Sequence, residues 1–408
     1  MHLSGVLLAG SLACCLYAYV GYPTILKVLS LFRRSSTPPD QLTTWPLISI
    51  TIPVHNEAEN IAGALEWVLA VDYPAERRQI LVVSDASTDG TDAIVAGFAA
   101  CGVQLQRLGE RRGKTAAENA ASPYLTGDII INTDASVRVH PRAVKLLVAA
   151  FDDLAVGVAS ARDVSVASLD DRTNPGEQSY VSYEMRVRDL ETTVQGIVGA
   201  SGCLYAIRAD LHRCYVPEAL SRDFAAALTA REHGRRAVSV HEAVCFVPRS
   251  ASLRQEYRRK VRTITRGLAT LAYKRALLNP LRYGVFAWML FSHKLCRWLV
   301  PWAMLLLLAV LGALAVTSGW ARTALAAFGA LGALGGIGWL WPEGDPMPRL
   351  LALPAFVVSG NVAVLHAWLR LLGGRLAPVW EPTRRGAVPA QERTSPGAAP
   401  EYHHGQRA

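Results

Sequence analysis

The sequence has no Cys-x-x-Cys pair. Its seven cysteines are scattered, which argues against a structural zinc site and a disulfide framework and fits a reducing compartment. Charge is sparse as well: Asp, Glu, Lys and Arg make up 18% of residues against 51% hydrophobic, which excludes a disordered chain. A mean hydropathy of +0.21 sits awkwardly with a purely soluble enzyme. Acidic residues are the minority, 33 against 42 basic, and the net charge of +9 suits nucleic acid, anionic lipid or an anionic substrate. No Gly-x-Gly-x-x-Gly follows the first strand pattern, which argues against a Rossmann-type dehydrogenase with a membrane anchor. The soluble half has acidic turns and no aromatic-interleaved basic sheet motif, so nucleic acid is not expected as a partner. The 408 residues allow two domains and a tail.

Long apolar runs are what the chain does have. Leu3 to Leu26 carries no charge and is long enough to cross a bilayer as a helix. No basic residue precedes it and no small-x-small cleavage site follows, which favours a span over a signal peptide. Lys27, Arg33 and Arg34 come next, so the positive-inside rule puts the following segment in the cytoplasm. Residues 1–34 are expected to form the N-terminal span and 35–46, rich in Pro, Ser and Thr, a linker. Residues 251–298 read as basic and interfacial amphipathic helices, because Trp288, Lys294, Arg297 and Trp298 suit the headgroup level. Charge-free runs at Leu299–Thr317, Thr323–Trp341 and Leu350–Leu369 place three further spans within 299–372. Residues 373–408, rich in Pro, Gly, Arg and Ser, are expected to be a disordered tail. Three spans after a cytoplasmic domain would leave Arg375, Arg384 and Arg385 outside, against the same rule. Either one run, such as the last with Pro354 and Asn361, is re-entrant, or the interfacial segment crosses.

Residues 47–250 change character, alternating short β-rich runs with helical patterns, the signature of an α/β sheet with crossover helices. Leu47–Val54, Gln79–Ala86, Val103–Leu108 and Asp128–Ala135 read as parallel strands, with a helix at Ala58–Ala70. Ligands of such a sheet bind at the carboxyl ends of its strands. There the sequence delivers Pro53-Val54-His55-Asn56-Glu57, then Asp85 with Asp89 as a helix cap, then the basic loop Arg111-Arg112-Gly113-Lys114, then Thr133-Asp134-Ala135-Ser136. Asp85 suits a base or ribose, Lys114 a diphosphate, and Asp134 a divalent cation that takes its other ligands from phosphates and water.

In this order and spacing the motifs resemble the nucleotide-sugar half of family 2 glycosyltransferases, which have a GT-A fold. Tyr180-Val181-Ser182-Tyr183-Glu184, Gly199-Ala200-Ser201-Gly202, Arg222-Asp223-Phe224, Arg259-Lys260-Val261-Arg262 and Ser292-His293-Lys294-x-x-Arg297-Trp298 extend the resemblance. They resemble the membrane-embedded branch with hyaluronan, cellulose and poly-N-acetylglucosamine synthases. The resemblance implies a GT-A (Rossmann-like) α/β cytoplasmic domain at 47–250, flanked by transmembrane helices.

It further implies that Pro53, His55, Asn56, Glu57 and Asp85 bind uridine, with Lys114 near the nucleotide. Asp134 would belong to the Asp-x-Asp metal motif for Mg²⁺ or Mn²⁺, although Ser136 stands where the second Asp would be. Asp223, read alone as a helix N-cap, corresponds to the catalytic base. Gly199, Ser201 and Gly202 would let backbone approach the acceptor sugar. The synthases' Gln-x-x-Arg-Trp motif lacks its Trp here. Arg259-Lys260-Val261-Arg262 is the best counterpart and Gln255-x-x-Arg258-Arg259 fits by spacing, so Arg262 is assigned to the pyrophosphate, with Arg259 and Lys260 beside the acceptor.

The expectation is an inverting, multi-pass inner-membrane glycosyltransferase with its catalytic domain in the cytoplasm, moving sugar from a UDP-sugar to a glycan or lipid-linked acceptor. Membrane lipid and polysaccharide-export proteins are its implied partners. The alternative, motivated by Ser136 and the missing motif, is a catalytically silent nucleotide- or lipid-binding scaffold.

Overall fold

All seven residues of β1 (Ile48–Val54) are buried in the computed structural model, which describes residues 2–33, 44–166, 175–248, 252–343 and 347–376. Such a run needs cover on both faces, as in a parallel sheet. β1 pairs in parallel with β2 (Arg78–Ser84) and β4 (Ile129–Thr133), and β2 with β3 (Val103–Arg107). The helix Ile61–Leu69 covers one face with Ile61, Ala64, Leu65 and Val68, spaced i, i+3, i+4 and i+7. Gly127 precedes β4 where a Cβ would come within 2.4 Å of Ser49 N, so only glycine allows that approach.

The second half of the sheet is mixed. The order is β3-β2-β1-β4-β7-β6-β8-β5, with β5 (Arg138–Val139), β6 (Val156–Val166), β7 (Leu204–Arg208) and β8 (Arg236–Pro248). β7 runs antiparallel to β4 and β6, and β8 is parallel to β6. The chain winds β1-β2-β3 to one side of β1 and sets β4 on the other. The carboxyl ends of β1 and β4 thus flank a topological switch point.

Four helices have the length and composition to cross a membrane: Leu3–Leu31, Val285–Ala315, Gly319–Leu340 and Arg349–Leu372. The last packs against the basic helix Leu253–Tyr273, with Lys260 Nζ 3.5 Å from the Phe356 ring centre and Tyr257 Oη 3.0 Å from His366 Nδ1. Both its flanks reach the α/β domain side. Glu343 accepts from Ser252, just after β8, and Leu371 packs with Val216, Leu220 and Ala225. It is one continuous helix in spite of Pro354. Residues 35–43 of the expected linker 35–46, and the tail beyond 376, lie outside the described residues.

Candidate active site

The β1 and β2 ends are bound to each other before any ligand is considered. His55 Nδ1 donates to the Asp85 carbonyl at 2.6 Å, and Asn56, at φ 51°, accepts from Thr88 N–H at 2.7 Å. Glu57 is buried; its N–H donates to Thr91 Oγ1 and its carboxylate accepts from Asn60. Asp89 accepts from the N–H groups of Ala58 and Thr91 and so ties the two turns together, but the N-cap of the next helix is Gly90, at φ 91°, and not Asp89 as expected. Pro53 sits inside β1, paired with Val83. The Asp85 carboxylate accepts from the N–H groups of Arg112 and Gly113, each at 2.7 Å. Asp85 therefore holds the basic loop against the sheet edge, and Gly113 supplies the φ of 98° that the loop needs.

That loop launches the helix Lys114–Ala121 so that Lys114 crosses to β4. Its ammonium donates to Asp134 Oδ1 at 2.5 Å and to the Gly202 carbonyl at 3.1 Å. Burial disfavours the Lys114 charge, but Asp134, Glu118 and Asp223 outweigh it and push the pKa up. Glu118, one turn on and 1% exposed, has no hydrogen-bond partner for its carboxylate, and burial raises its pKa. Among the described residues no three His, Cys, Asp or Glu side chains form a metal cluster. Asp134 already holds one cation, so its charge and position fit a divalent ion that draws its other ligands from a diphosphate, with the Ser136 side chain two residues on.

Asp223 is not the N-cap of its helix, Arg222–Glu232; Ser221 holds that position and donates to Asp223 Oδ1 at 2.5 Å. The carboxylate turns instead into a cavity of about 130 Å³ shared with Lys114, Glu118, Arg262 and Arg266. Gly202 faces it so closely that a Cβ would meet Asp223 Oδ2 at 2.8 Å. Arg222 also lines this cavity, but its buried guanidinium is engaged by Asn119 and the His212 carbonyl.

Three expected acceptor residues are turned elsewhere. Ser201 donates to the Asp163 carboxylate at 2.7 Å, Arg259 pairs with Glu256 on its own helix, and Lys260 lies over Phe356. Gly199 stays at the site, where a Cβ would crowd Phe224 and Lys294 at 3.1 and 3.4 Å. Arg266 and Glu118 were not singled out from sequence. The i, i+4 spacing of Arg262 and Arg266 on an amphipathic helix is the signal that finds the first, and the same spacing from Lys114 finds the second.

Residues 49–215 match the family model described as Glycosyl transferase family 2. That match, together with the mixed α/β sheet, supports a glycosyltransferase domain of GT-A-like fold over these residues. The domain is 36% identical over 100 residues to Glycosyltransferase AglE of Haloferax volcanii, covering 24% of this chain and 33% of that protein. It is 29% identical over 169 residues to an N-acetylglucosaminyltransferase of Mesorhizobium japonicum, covering 37% and 38%. The chain thus spans little more than a third of either relative. The whole fold is similar to that of the mannosyltransferase PcManGT from Pyrobaculum calidifontis in complex with GDP-Man and Mn²⁺. The TM-score is 0.71 at 22% identity, covering 91% of this chain and 99% of the other. This extends the likeness of fold beyond the GT-A domain to the flanking helices.

Proposed function

We propose that the chain is a membrane-integral, inverting glycosyltransferase that moves a sugar from a nucleotide sugar, read from the sequence as a UDP-sugar, to a lipid-linked or growing glycan acceptor. What carries this reading is the meeting of Lys114, Asp134, Asp223 and Arg262, from four separate stretches of chain, at the carboxyl edge of the parallel strands. The His55–Glu57 and Asp85 turns frame the side where the nucleotide enters. Asp223 accepts the proton of the acceptor hydroxyl; that oxygen bonds to the sugar C1 as the bond from C1 to the diphosphate oxygen breaks. Lys114, Arg262 and Arg266 face the charge that develops on the leaving nucleoside diphosphate. Mg²⁺ or Mn²⁺ on Asp134 would supply further neutralisation of that diphosphate. The membrane-embedded branch remains the preferred relationship, with the catalytic domain in the cytoplasm.

The test is release of nucleoside diphosphate by purified protein with Mg²⁺ or Mn²⁺ and a panel of UDP- and GDP-sugars. Asp134→Ala should abolish it and Asp223→Asn should lower it about 10²–10⁴-fold, and undiminished turnover in both removes the site assignment. A silent scaffold is the second reading, favoured by Ser136 in place of an acidic ligand and by an ammonium already seated on Asp134. Nucleotide binding without turnover on any donor would support it.

A further inference from the structure

A second cavity, about 250 Å³, opens between the GT-A domain and the membrane-flanking helices. Ser221, Asp223 and Thr263 line it as well as the smaller cavity, so the base stands at the junction of the two. Its remaining walls divide by chemistry. Tyr19, Phe224, Trp298 and Val364 give an apolar side drawn mostly from the membrane-flanking helices, while Arg188, Lys294 and Arg297 give a cationic one.

Three cations, Arg188, Lys294 and Arg297, share this wall with two carboxylates. Glu184 and Asp223 are the carboxylates in the wall; Glu184 Oε1 faces His293 Nε2 at 2.7 Å and its Oε2 accepts from Arg297 at 2.7 Å, while Asp223 Oδ1 accepts from Ser221. Arg188 Nε is 4.0 Å from Glu184 and Lys294 Nζ is 3.8 Å away, both beyond hydrogen-bond reach. Arg188 is only 8% exposed, and its Nε and Nη1 have no hydrogen-bond partner. A buried guanidinium with unsatisfied donors is costly by itself, and a bound anion relieves that cost.

We propose that this cavity binds the phosphate headgroup of a membrane-borne acceptor, with Arg188 and Lys294 as its cationic ligands. The proposal deepens the glycosyltransferase reading and rests on it for the word acceptor. A phosphate seated between these two groups leaves the lipid chain along Tyr19 and Val364 and the rest of the headgroup toward Asp223. The same anion chemistry would suit free phosphate, so the two sources need separate arms.

The experiment measures equilibrium binding of labelled phytanyl phosphate to the full chain in phosphatidylcholine nanodiscs. Phytanol and inorganic phosphate serve as competitors. Arg188→Gln and Lys294→Gln should each weaken binding about tenfold or more, as loss of a charge-assisted hydrogen bond does, with Arg188→Lys intermediate. Nucleotide binding by the same preparations reports folding. Phytanol should not compete, and inorganic phosphate should do so only at far higher concentration. Unchanged affinity in folded Arg188→Gln, or competition by phytanol equal to that of the phosphate, overturns the proposal. Equal competition by inorganic phosphate makes the site one for a free anion and overturns the lipid assignment. Phosphate-lipid binding in a protein that turns over no nucleotide sugar would sink the transferase reading and leave this site standing. Turnover without such binding would do the reverse.

Discussion

Lys114 Nζ sits 2.5 Å from Asp134 Oδ1, so the residue expected to hold the metal already carries a countercharge. The ammonium and a divalent cation compete for one carboxylate. Lys114→Met should therefore bind Mn²⁺ more tightly than wild type in the absence of nucleotide, as read by electron paramagnetic resonance titration. Its turnover should fall on the order of 10²-fold, since one fewer positive charge faces the leaving diphosphate. Mn²⁺ affinity equal to or weaker than wild type would show that the two cations do not share Asp134.

Gly202 lies against Asp223 with room for a hydrogen and nothing larger. Gly202→Ala should displace the carboxylate rather than the nucleotide. Turnover is then expected to drop on the order of 10²-fold, the scale of a misplaced catalytic group, with donor binding nearly unchanged. A variant that turned over normally would mean that Asp223 need not occupy its present position. Asp223→Asn should cost about 10²–10⁴-fold in kcat, the range of a lost general base, and leave donor affinity intact.

How far the sequence discloses this arrangement depends on what each residue packs against. β1, β2 and β4 are legible because they are apolar runs that end abruptly in polar turns, and those turns are the site edge. β6 and β8 are not, since Arg162, Asp163, His241 and Glu242 interrupt their apolar pattern where the strands run past the core. Asp134, Lys114 and Asp223 could be named from motif order, but the Lys114–Asp134 pair joins two loops 20 residues apart and is visible only in three dimensions. Glu184, Arg188 and Glu191 recur at i, i+4 and i+7, one helical face, which a hydropathy reading takes for a solvated stripe. All three are buried, because membrane-flanking His293, Lys294 and Arg297 come down onto them.

That buried cluster gives a pH prediction. Burial alone would raise the Glu184 pKa, but His293 first, then Arg297 and Lys294, outweigh it and hold the carboxyl well below its usual range; Arg188 also faces it. A depressed carboxylate contributes stability that is fully present above its unfolded value of about 4.3 and is lost as pH falls through the lower folded value. Thermal melts of the detergent-solubilised protein should show no Glu184-dependent change between pH 7 and 5, with destabilisation setting in below about pH 4. Glu184→Gln should melt lower at neutral pH, and its deficit should shrink as acid protonates the wild-type carboxyl. A deficit that stayed constant down to the acid limit would mean that Glu184 contributes packing and not charge.

The contacts of the helix Arg349–Leu372 give a topology prediction for the case in which the other three apolar helices cross. An N-terminal span entering the cytoplasm before Lys27, Arg33 and Arg34, followed by an outward and a return crossing at Val285–Ala315 and Gly319–Leu340, brings the chain back to the catalytic side at Glu343. Glu343 there meets Ser252 and Arg254, and Leu371 at the far end of the last helix meets Val216, Leu220 and Ala225 of the same domain. A helix with both flanks on one side lies along the interface, with Lys260 of the basic helix over its Phe356. On that topology Arg375 is on the same side as the catalytic domain, which is the side the positive-inside rule requires if that domain is cytoplasmic. An epitope appended after Ala408 should resist protease in intact spheroplasts and become cleavable once the membrane is permeabilised. Cleavage in intact cells would require the last helix to cross, and with it a break of the Glu343 or Leu371 contacts.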